Sequence, residues 1–203
     1  MKFEITDSPN SYLIIDLKKD EKIITEKSCL IYSDGEYNFE NKIEGKGYKN
    51  ILALIGGKSI TYNIYSAKED LKINFSPKDT SEIFNLEIQN NNPIFINPSN
   101  LFSRTCDIRI LPPSGFDKDL FLKTDGFGTL FLKYYGKIIE KEIDSSKPFF
   151  INVDSVIAYE EKLKVEAITG LMKAIIGNSE IYKVSGNGKI WIQSKDRIEL
   201  KKD

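Results

Sequence analysis

The sequence predicts an all-β protein, a β-sandwich or barrel built from three related modules and one or two very short helices. Three observations support this fold class. Apolar and polar residues alternate with a period of two in many short segments, turn residues separate the segments at intervals of about ten residues, and a glycine turn followed by a strand recurs along the chain. Evenly spaced short strands are typical of sandwiches and barrels.

The first third of the chain contains five strand-like segments. They are rich in β-branched and aromatic residues and are bounded by polar clusters, at residues 11–17, 23–32, 37–43, 59–65 and 71–75. Asp34-Gly35 has the composition of a hairpin turn. Residues 50–55 are expected to close into one short helical turn.

The pattern continues through the rest of the chain. Further strands are predicted at residues 83–88, 94–96, 101–109, 120–123, 137–143, 149–153, 156–159 and 163–166. The sequence Pro112-Pro113-Ser114-Gly115 indicates a loop. Residues 171–176 have the composition of a two-turn helix, and Gly177 is suited to end it because glycine commonly occupies the position just past a helix C-terminus.

Three glycine turns are followed by strands. The glycines are Gly56 with Gly57, Gly126 with Gly128, and Gly186 with Gly188. A dinucleotide-binding loop needs a third glycine and a following helix, and here a strand follows each time. The glycines are therefore predicted to be structural turns that need a positive φ, not a cofactor-binding site.

An internal repeat accompanies these turns. Residues 24–32 can be laid without a gap on residues 151–159, with Ile, Ser and Tyr in common, and residues 96–102 resemble both. These similarities predict one β domain with three pseudo-repeats, at about residues 11–75, 83–143 and 149–198. Each module has one apolar face, so the modules are expected to pack together around a common core.

Two segments are more apolar than ordinary surface loops, and one tryptophan stands in the last strand. The residues singled out are Ile51, Leu54, Leu171, Met172, Ile175 and Trp191. The apolar segments either plug the ends of the β structure or contact another subunit; the alternative is a patch for another protein or a membrane surface. Trp191 shares the more polar strand face with Lys189 and Gln193, which favours packing or a subunit contact over ligand stacking.

Composition excludes several classes of function. The 203 residues include no histidine, so the commonest general base and metal ligand is missing. Lysine and arginine (29) nearly balance aspartate and glutamate (30) and are interleaved with them, which argues against nucleic-acid binding. No catalytic, cofactor-binding or metal-binding residues are predicted. Two widely separated cysteines and the lack of a long apolar run predict a soluble, cytoplasmic protein.

The C-terminal third resembles the altered-inheritance-of-mitochondria, or mitochondrial biogenesis, family. The resemblance rests on residues 153–159, 170–177 and 186–193, and residues 31–35 and 56–60 extend it to the N-terminal third. It implies a fold like that of the tryptophan RNA-binding attenuator protein, a double-stranded β-helix or sandwich that is commonly a trimer. It implies no catalytic site.

Together these observations predict a non-catalytic β scaffold or binding protein that associates with itself, as a homotrimer. The alternative is a small-ligand-binding protein with a pocket between modules. An enzyme that uses carboxylates and lysine is a third hypothesis, and RNA binding is the least favoured. The carboxylate pairs Asp34/Glu36, Asp117/Asp119 and Glu160/Glu161 are expected to be exposed turn residues.

Overall fold

The structure is a computed structural model that describes residues 1–44, 60–90, 92–111, 121–168 and 181–195. These residues form 19 β-strands and two 3₁₀ turns, and there is no α-helix among them. The all-β prediction is confirmed. The helices predicted at residues 50–55 and 171–176 lie outside the described residues. The chain divides into two compact units, Met1–Tyr134 and Tyr135–Asp203.

The first unit contains thirteen of the strands found in the described residues. They are β1 (Lys2–Ile5), β2 (Leu13–Leu17), β3 (Lys22–Glu26), β4 (Leu30–Ser33), β5 (Tyr37–Glu44), β6 (Ile60–Ala67), β7 (Leu71–Phe75), β8 (Glu82–Ile88), β9 (Ile94–Ile96), β10 (Leu101–Thr105), β11 (Ile108–Leu111), β12 (Leu122–Gly126) and β13 (Gly128–Tyr134). A 3₁₀ turn at Pro98–Asn100 precedes β10.

Antiparallel pairing joins the strands of the first unit. One sheet has the order β1-β2-β7-β4, a second has the order β5-β6-β3-β10-β13-β8, and β12 lies between β11 and β9. Strand β2 shows why these segments form half-buried strands. Its residues Leu13, Ile15 and Leu17 are at most 1% exposed, whereas Asp16 between them is exposed. The alternation puts the apolar side chains on the core face.

The core of the first unit is apolar and rich in aromatic residues. It is formed by Leu13, Ile15, Leu17, Ile23, Cys29, Tyr65, Ala67, Leu71, Ile73, Phe75, Ile83, Phe102 and Phe131. Tyr65 contacts Phe75 with ring centroids 5.1 Å apart, and the edge of Phe3 meets Phe131 at 5.0 Å. Aromatic pairs at these separations add to the stabilisation that apolar burial provides.

The second unit contains six strands in its described residues. They are β14 (Ile138–Ile143), β15 (Phe149–Asn152), β16 (Val156–Glu160), β17 (Leu163–Ala167), β18 (Ile181–Gly186) and β19 (Gly188–Gln193), with a 3₁₀ turn at Val153–Ser155 between β15 and β16. Strand β19 pairs with β14 and β16, and β18 pairs with β15 and β17.

The same pairing scheme occurs three times, in the strand sets β2–β7, β8–β13 and β14–β19. In each set the first and third strands pair with the sixth, and the second and fourth pair with the fifth. Strand β14 belongs to the third set because it pairs with β19, whereas the predicted bounds put residues 137–143 in the second module. Their organisation as one domain of three pseudo-repeats stays a prediction.

The pairing corrects the residue alignment of the repeat. Leu30 opposes Phe75 just before a bulge, and Val156 opposes Ile192 in the same place, so Leu30 corresponds to Val156. Residues 24–32 therefore correspond to 150–158, one position away from the overlay on 151–159. Shared residue types misled the sequence comparison. A slip of one position matters because it moves every side chain of a strand to the opposite face.

The pairing also separates Gly56-Gly57 from the other two glycine turns. Gly126 and Gly128 join β12 to β13, and Gly186 and Gly188 join β18 to β19, the fifth and sixth strands of their sets. The strand after Gly57 is β6, the fifth strand of the first set. In that set the turn between the fifth and sixth strands is residues 68–70, which contain no glycine.

Several local features differ from the predicted strands, and residues 101–109 form two strands, β10 and β11, rather than one. Residues 23–32 form two strands rather than one, because Ser28 takes a left-handed conformation with φ 64° and the chain turns there. Strands β1 and β18 were not predicted from the sequence. None of the helices in the described residues is long and apolar enough to cross a membrane.

Candidate functional site

The two glycine turns that the structure describes have geometry that requires glycine. Gly126 has φ 100° and Gly186 has φ 102°. A Cβ on Gly126 would lie 2.0 Å from the carbonyl oxygen of Asp107, and one on Gly186 would lie 2.4 Å from that of Lys162. Each turn joins two strands and opens no helix, so it lacks the array of amide donors that a phosphate loop provides.

Seven of the residues singled out from the sequence fall in parts of the chain that the structure does not describe. Gly56, Gly57, Ile51, Leu54, Leu171, Met172 and Ile175 lie outside the described residues. Trp191 is described, and it is buried with 6% of its surface exposed. Its role as a subunit contact stays a prediction, and little of its surface is available for one.

Trp191 is held by a charged partner within its own sheet. Its indole Nε1 donates to Glu140 Oε2 at 3.0 Å across the β14–β19 pair, and Lys189 Nζ donates to the other oxygen at 2.6 Å. The hydrogen bond from Lys189, followed by that from Trp191, lowers the pKa of Glu140. Gln193, expected on the same polar face, is also buried, and its amide bonds the carbonyl of Asp154.

Among the described residues, a cluster of ionisable groups in the first unit is a candidate for catalytic chemistry. The Lys133 side chain is 5% exposed, and its Nζ lies 2.8 Å from Glu26 Oε2 and 3.6 Å from Asp79 Oδ2. Nearby, the thiol of Cys29 donates to the carbonyl of Glu26 at 3.0 Å. Burial, with a smaller contribution from Glu26, raises the pKa of Cys29 to about 11.

This arrangement favours a structural role over a catalytic one. A thiol with a raised pKa stays protonated near neutral pH and is a poor nucleophile. The Lys133 amine is already paired with two carboxylates, Glu26 and Asp79, so it is not available to act as a base. No group of three or more His, Cys, Asp or Glu side chains in the described part of the chain is placed to hold a metal ion.

The carboxylate pairs noted in the sequence also have structural partners where they are described. Asp34 accepts a hydrogen bond from the backbone of Lys72 at 2.5 Å, and Glu36 pairs with the exposed Lys68 at 3.2 Å. Asp117 and Asp119 lie outside the described residues. A surface depression of about 480 Å³ beside Asp34 contains the ion pair Lys18–Asp70 at 2.7 Å, so these charges neutralise each other.

The outer edges of two strands, β4 and β15, expose apolar side chains. Strand β4 is the last strand of its sheet, and Ile31 and Tyr32 on it are 50% and 54% exposed. Their counterparts in the second strand set, Phe102 and Ser103, are each 1% exposed. The difference arises because β10, which carries them, pairs with β3 as well as with β13.

Strand β15 shows the complementary feature. It pairs with β18 on one side, and the described residues of its unit supply no strand on the other. Phe150 on β15 is 38% exposed, whereas its counterpart Ile24 on β3 is 8% exposed because β3 pairs with both β6 and β10. Sequence reasoning missed Ile31, Tyr32 and Phe150. These three residues can be found by comparing the exposure of equivalent repeat positions, once the strands are aligned by their pairing.

Comparison with known proteins bears on the fold and the family. A sequence model of a protein family, described as mitochondrial biogenesis AIM24, matches residues 3–195. A crystal structure of a protein from Streptococcus pyogenes has a TM-score of 0.73 and 20% sequence identity, covering 96% of this chain and 94% of that one. At this identity the likeness concerns the fold. No match was found among curated proteins.

Proposed function

The chain belongs to the mitochondrial biogenesis AIM24 family, and from that membership and its uncovered strand edges we propose that it is a non-catalytic β scaffold that associates with copies of itself. The observation that carries the proposal is the exposure of Ile31 and Tyr32, 50% and 54%, at repeat positions where Phe102 and Ser103 are 1% exposed. Apolar side chains on an open strand edge favour pairing with another strand.

The non-catalytic part of the proposal rests on the chemistry of the described side chains. The chain has no histidine, the Cys29 thiol has a raised pKa, and the buried Lys133 is neutralised by Glu26. A homotrimer with a fold like that of the tryptophan RNA-binding attenuator protein is the assembly that the family resemblance implies. A reducing, cytoplasmic compartment fits the two free cysteines.

Light scattering after size-exclusion chromatography tests this function. At micromolar concentration we expect a particle with three times the mass of one chain, and Tyr32→Lys should shift it towards the monomer because a charged edge residue opposes strand addition. Phe127→Lys is the matched control, since Phe127 is 55% exposed but lies in a turn. A wild-type protein that remains monomeric up to about 100 μM, where weak complexes form, contradicts the proposal.

Thermal shift measurements separate the scaffold from the alternative, a small-ligand-binding protein. A ligand that binds the native state alone raises the unfolding midpoint. The scaffold proposal expects no such ligand in a panel of nucleotides, amino acids and cofactors. A reproducible, concentration-dependent rise would favour the ligand-binding alternative.

A further inference from the structure

The first two strand sets show how one set joins the next. Strand β10, the third strand of the second set, pairs antiparallel with β3, the second strand of the first set. The register places Ser103 opposite Thr25 and Arg104 opposite Ile24. This contact covers the outer edges of both strands, and these four residues are at most 8% exposed.

The repeat identifies which strands stand at the equivalent open edges. The third strand of the first set is β4, and the second strand of the third set is β15. By their pairing with β7 and β13, Tyr32 corresponds to Ser103 and Ser33 to Arg104. By their pairing with β6 and β18, Ile24 corresponds to Phe150, and Thr25 to Ile151.

The exposed surfaces agree with this correspondence. Positions equivalent to Ile31 and Tyr32 are occupied in the third set by Ile157 and Ala158, which are both 0% exposed. Two of the three sets thus bury this position, and β4 alone leaves it open. The Phe150 side chain on β15 is likewise more exposed than Ile24, at 38% against 8%.

We propose that β4 of one copy pairs antiparallel with β15 of the next copy, with Tyr32 opposite Ile151 and Ser33 opposite Phe150. The inference rests on the proposed self-association and names its surface. In the contact between the first two sets, the third strand of one set (β10) pairs with the second strand of the other (β3). The second strand of the third set is β15, so β15 is the partner that this scheme gives to β4. Each copy then offers two different edges, so the contact is heterologous and generates a closed ring when the rotation closes.

Ring closure also accounts for the stability of a short contact. A ladder of three or four residues is weak by itself, but every copy in a ring makes two such contacts. The second contact forms within an assembly that already exists, where the effective concentration is on the order of 1 mM. The apolar side chains of Ile31, Tyr32 and Phe150 are then removed from water together.

Disulfide trapping tests the register in the full chain. The native cysteines are first replaced with Cys29→Ser and Cys106→Ser, and then Ser33→Cys and Phe150→Cys are made in separate proteins. Directly opposed residues in an antiparallel pair have Cα atoms about 4.5–5.5 Å apart, within the range a disulfide needs. The mixture of the two proteins should form the mixed disulfide dimer, and neither protein alone should crosslink efficiently.

The size of the effect follows from the effective concentration. At about 10 μM chain, a paired position at on the order of 1 mM predicts crosslinking about a hundredfold faster than for unassociated chains. The control partner for Ser33→Cys is Lys147→Cys, which is exposed and lies three residues out of the proposed register. Its crosslinking with Ser33→Cys should be slower by a similar factor.

The outcomes distinguish the β4–β15 pairing from self-association through another surface. If light scattering shows an oligomer but the Ser33/Phe150 mixture crosslinks no faster than the Lys147 control, the β4–β15 pairing is wrong and self-association stands. Efficient dimers of Ser33→Cys alone would indicate a symmetric β4–β4 contact and also overturn it. A chain carrying both substitutions that is monomeric and closes its disulfide internally would overturn the pairing between copies and the proposed self-association.

Discussion

Replacing Gly186 with alanine should lower the temperature at which the protein unfolds, because the backbone at Gly186 leaves no room for a side chain. Gly186 ends β18 with φ 102°, a conformation that L side chains rarely adopt. An alanine Cβ would also lie 2.4 Å from the carbonyl oxygen of Lys162 and 3.3 Å from Leu163 Cα. Both neighbours are backbone atoms, and Leu163 is the residue paired with Gly186.

The magnitude combines these two effects. A non-glycine residue in a sparsely populated backbone region costs about 1–3 kcal/mol. The chain must in addition move the paired strand β17 to relieve the contact with Lys162, so we expect a total loss of about 2–4 kcal/mol. For a chain of about 200 residues this lowers Tm by roughly 4–16 °C. Circular dichroism during heating, at fixed chain concentration, measures the shift.

Gly188→Ala is the matched control in the same turn. Gly188 has no positive φ, and its Cβ would first meet the end of the Glu160 side chain, 2.8 Å away, which can move. The loss should be below about 1 kcal/mol, because alanine also reduces the entropy of the unfolded chain. Equal losses for Gly186→Ala and Gly188→Ala would refute the reasoning that the backbone at Gly186 requires glycine.

Three further predictions concern buried polar groups. The pKa of Cys29 is about 11 in the folded protein, against an ordinary value of 9.0. Between these two pH values only the unfolded thiol loses its proton, so the free energy of unfolding should fall by up to about 2–3 kcal/mol as the pH rises. The same measurement of unfolding free energy against pH in Cys29→Ala should lack that fall. Lys133→Met should destabilise by about 2–4 kcal/mol in urea unfolding, because it leaves two carboxylates without their buried partner, whereas the exposed Lys68→Met should change stability by less than about 1 kcal/mol. The Asn74 side chain is 0% exposed, and neither of its amide atoms has a hydrogen-bond partner in the described part of the chain. Phe131 occupies the equivalent place in the second strand set, so Asn74→Leu should raise Tm. A lower Tm would indicate that the Asn74 amide has hydrogen-bond partners in the folded protein.

Much of the fold could be predicted because it depends on local pattern. The alternation in segments such as Leu13–Leu17 identifies strands without knowledge of their partners, since each strand must turn its apolar face to a core. The glycine turns at Gly126 and Gly186 were predicted for the same reason: a tight turn with a positive φ leaves a local mark in the sequence.

The candidate site could not be predicted, because exposure depends on which strands lie beside each other. Ile31 and Phe102 are both apolar residues in similar strands, and their exposures of 50% and 1% differ because β10 has a second neighbour and β4 does not. The sequence comparison also placed the first repeat one position away, because it matched residue types rather than hydrogen-bonded pairs.

The sequence by itself therefore determined an all-β chain, the turns that need glycine at Gly126 and Gly186 and the absence of histidine chemistry. These properties follow from side-chain periodicity, backbone sterics and composition, which act within a few residues. Only the tertiary structure decided the register of the repeats, the burial of Trp191 against Glu140, and the open edges of β4 and β15. Those depend on pairing between residues far apart in the chain, and hydrogen bonds between strands can form in more than one register until the folded core selects one.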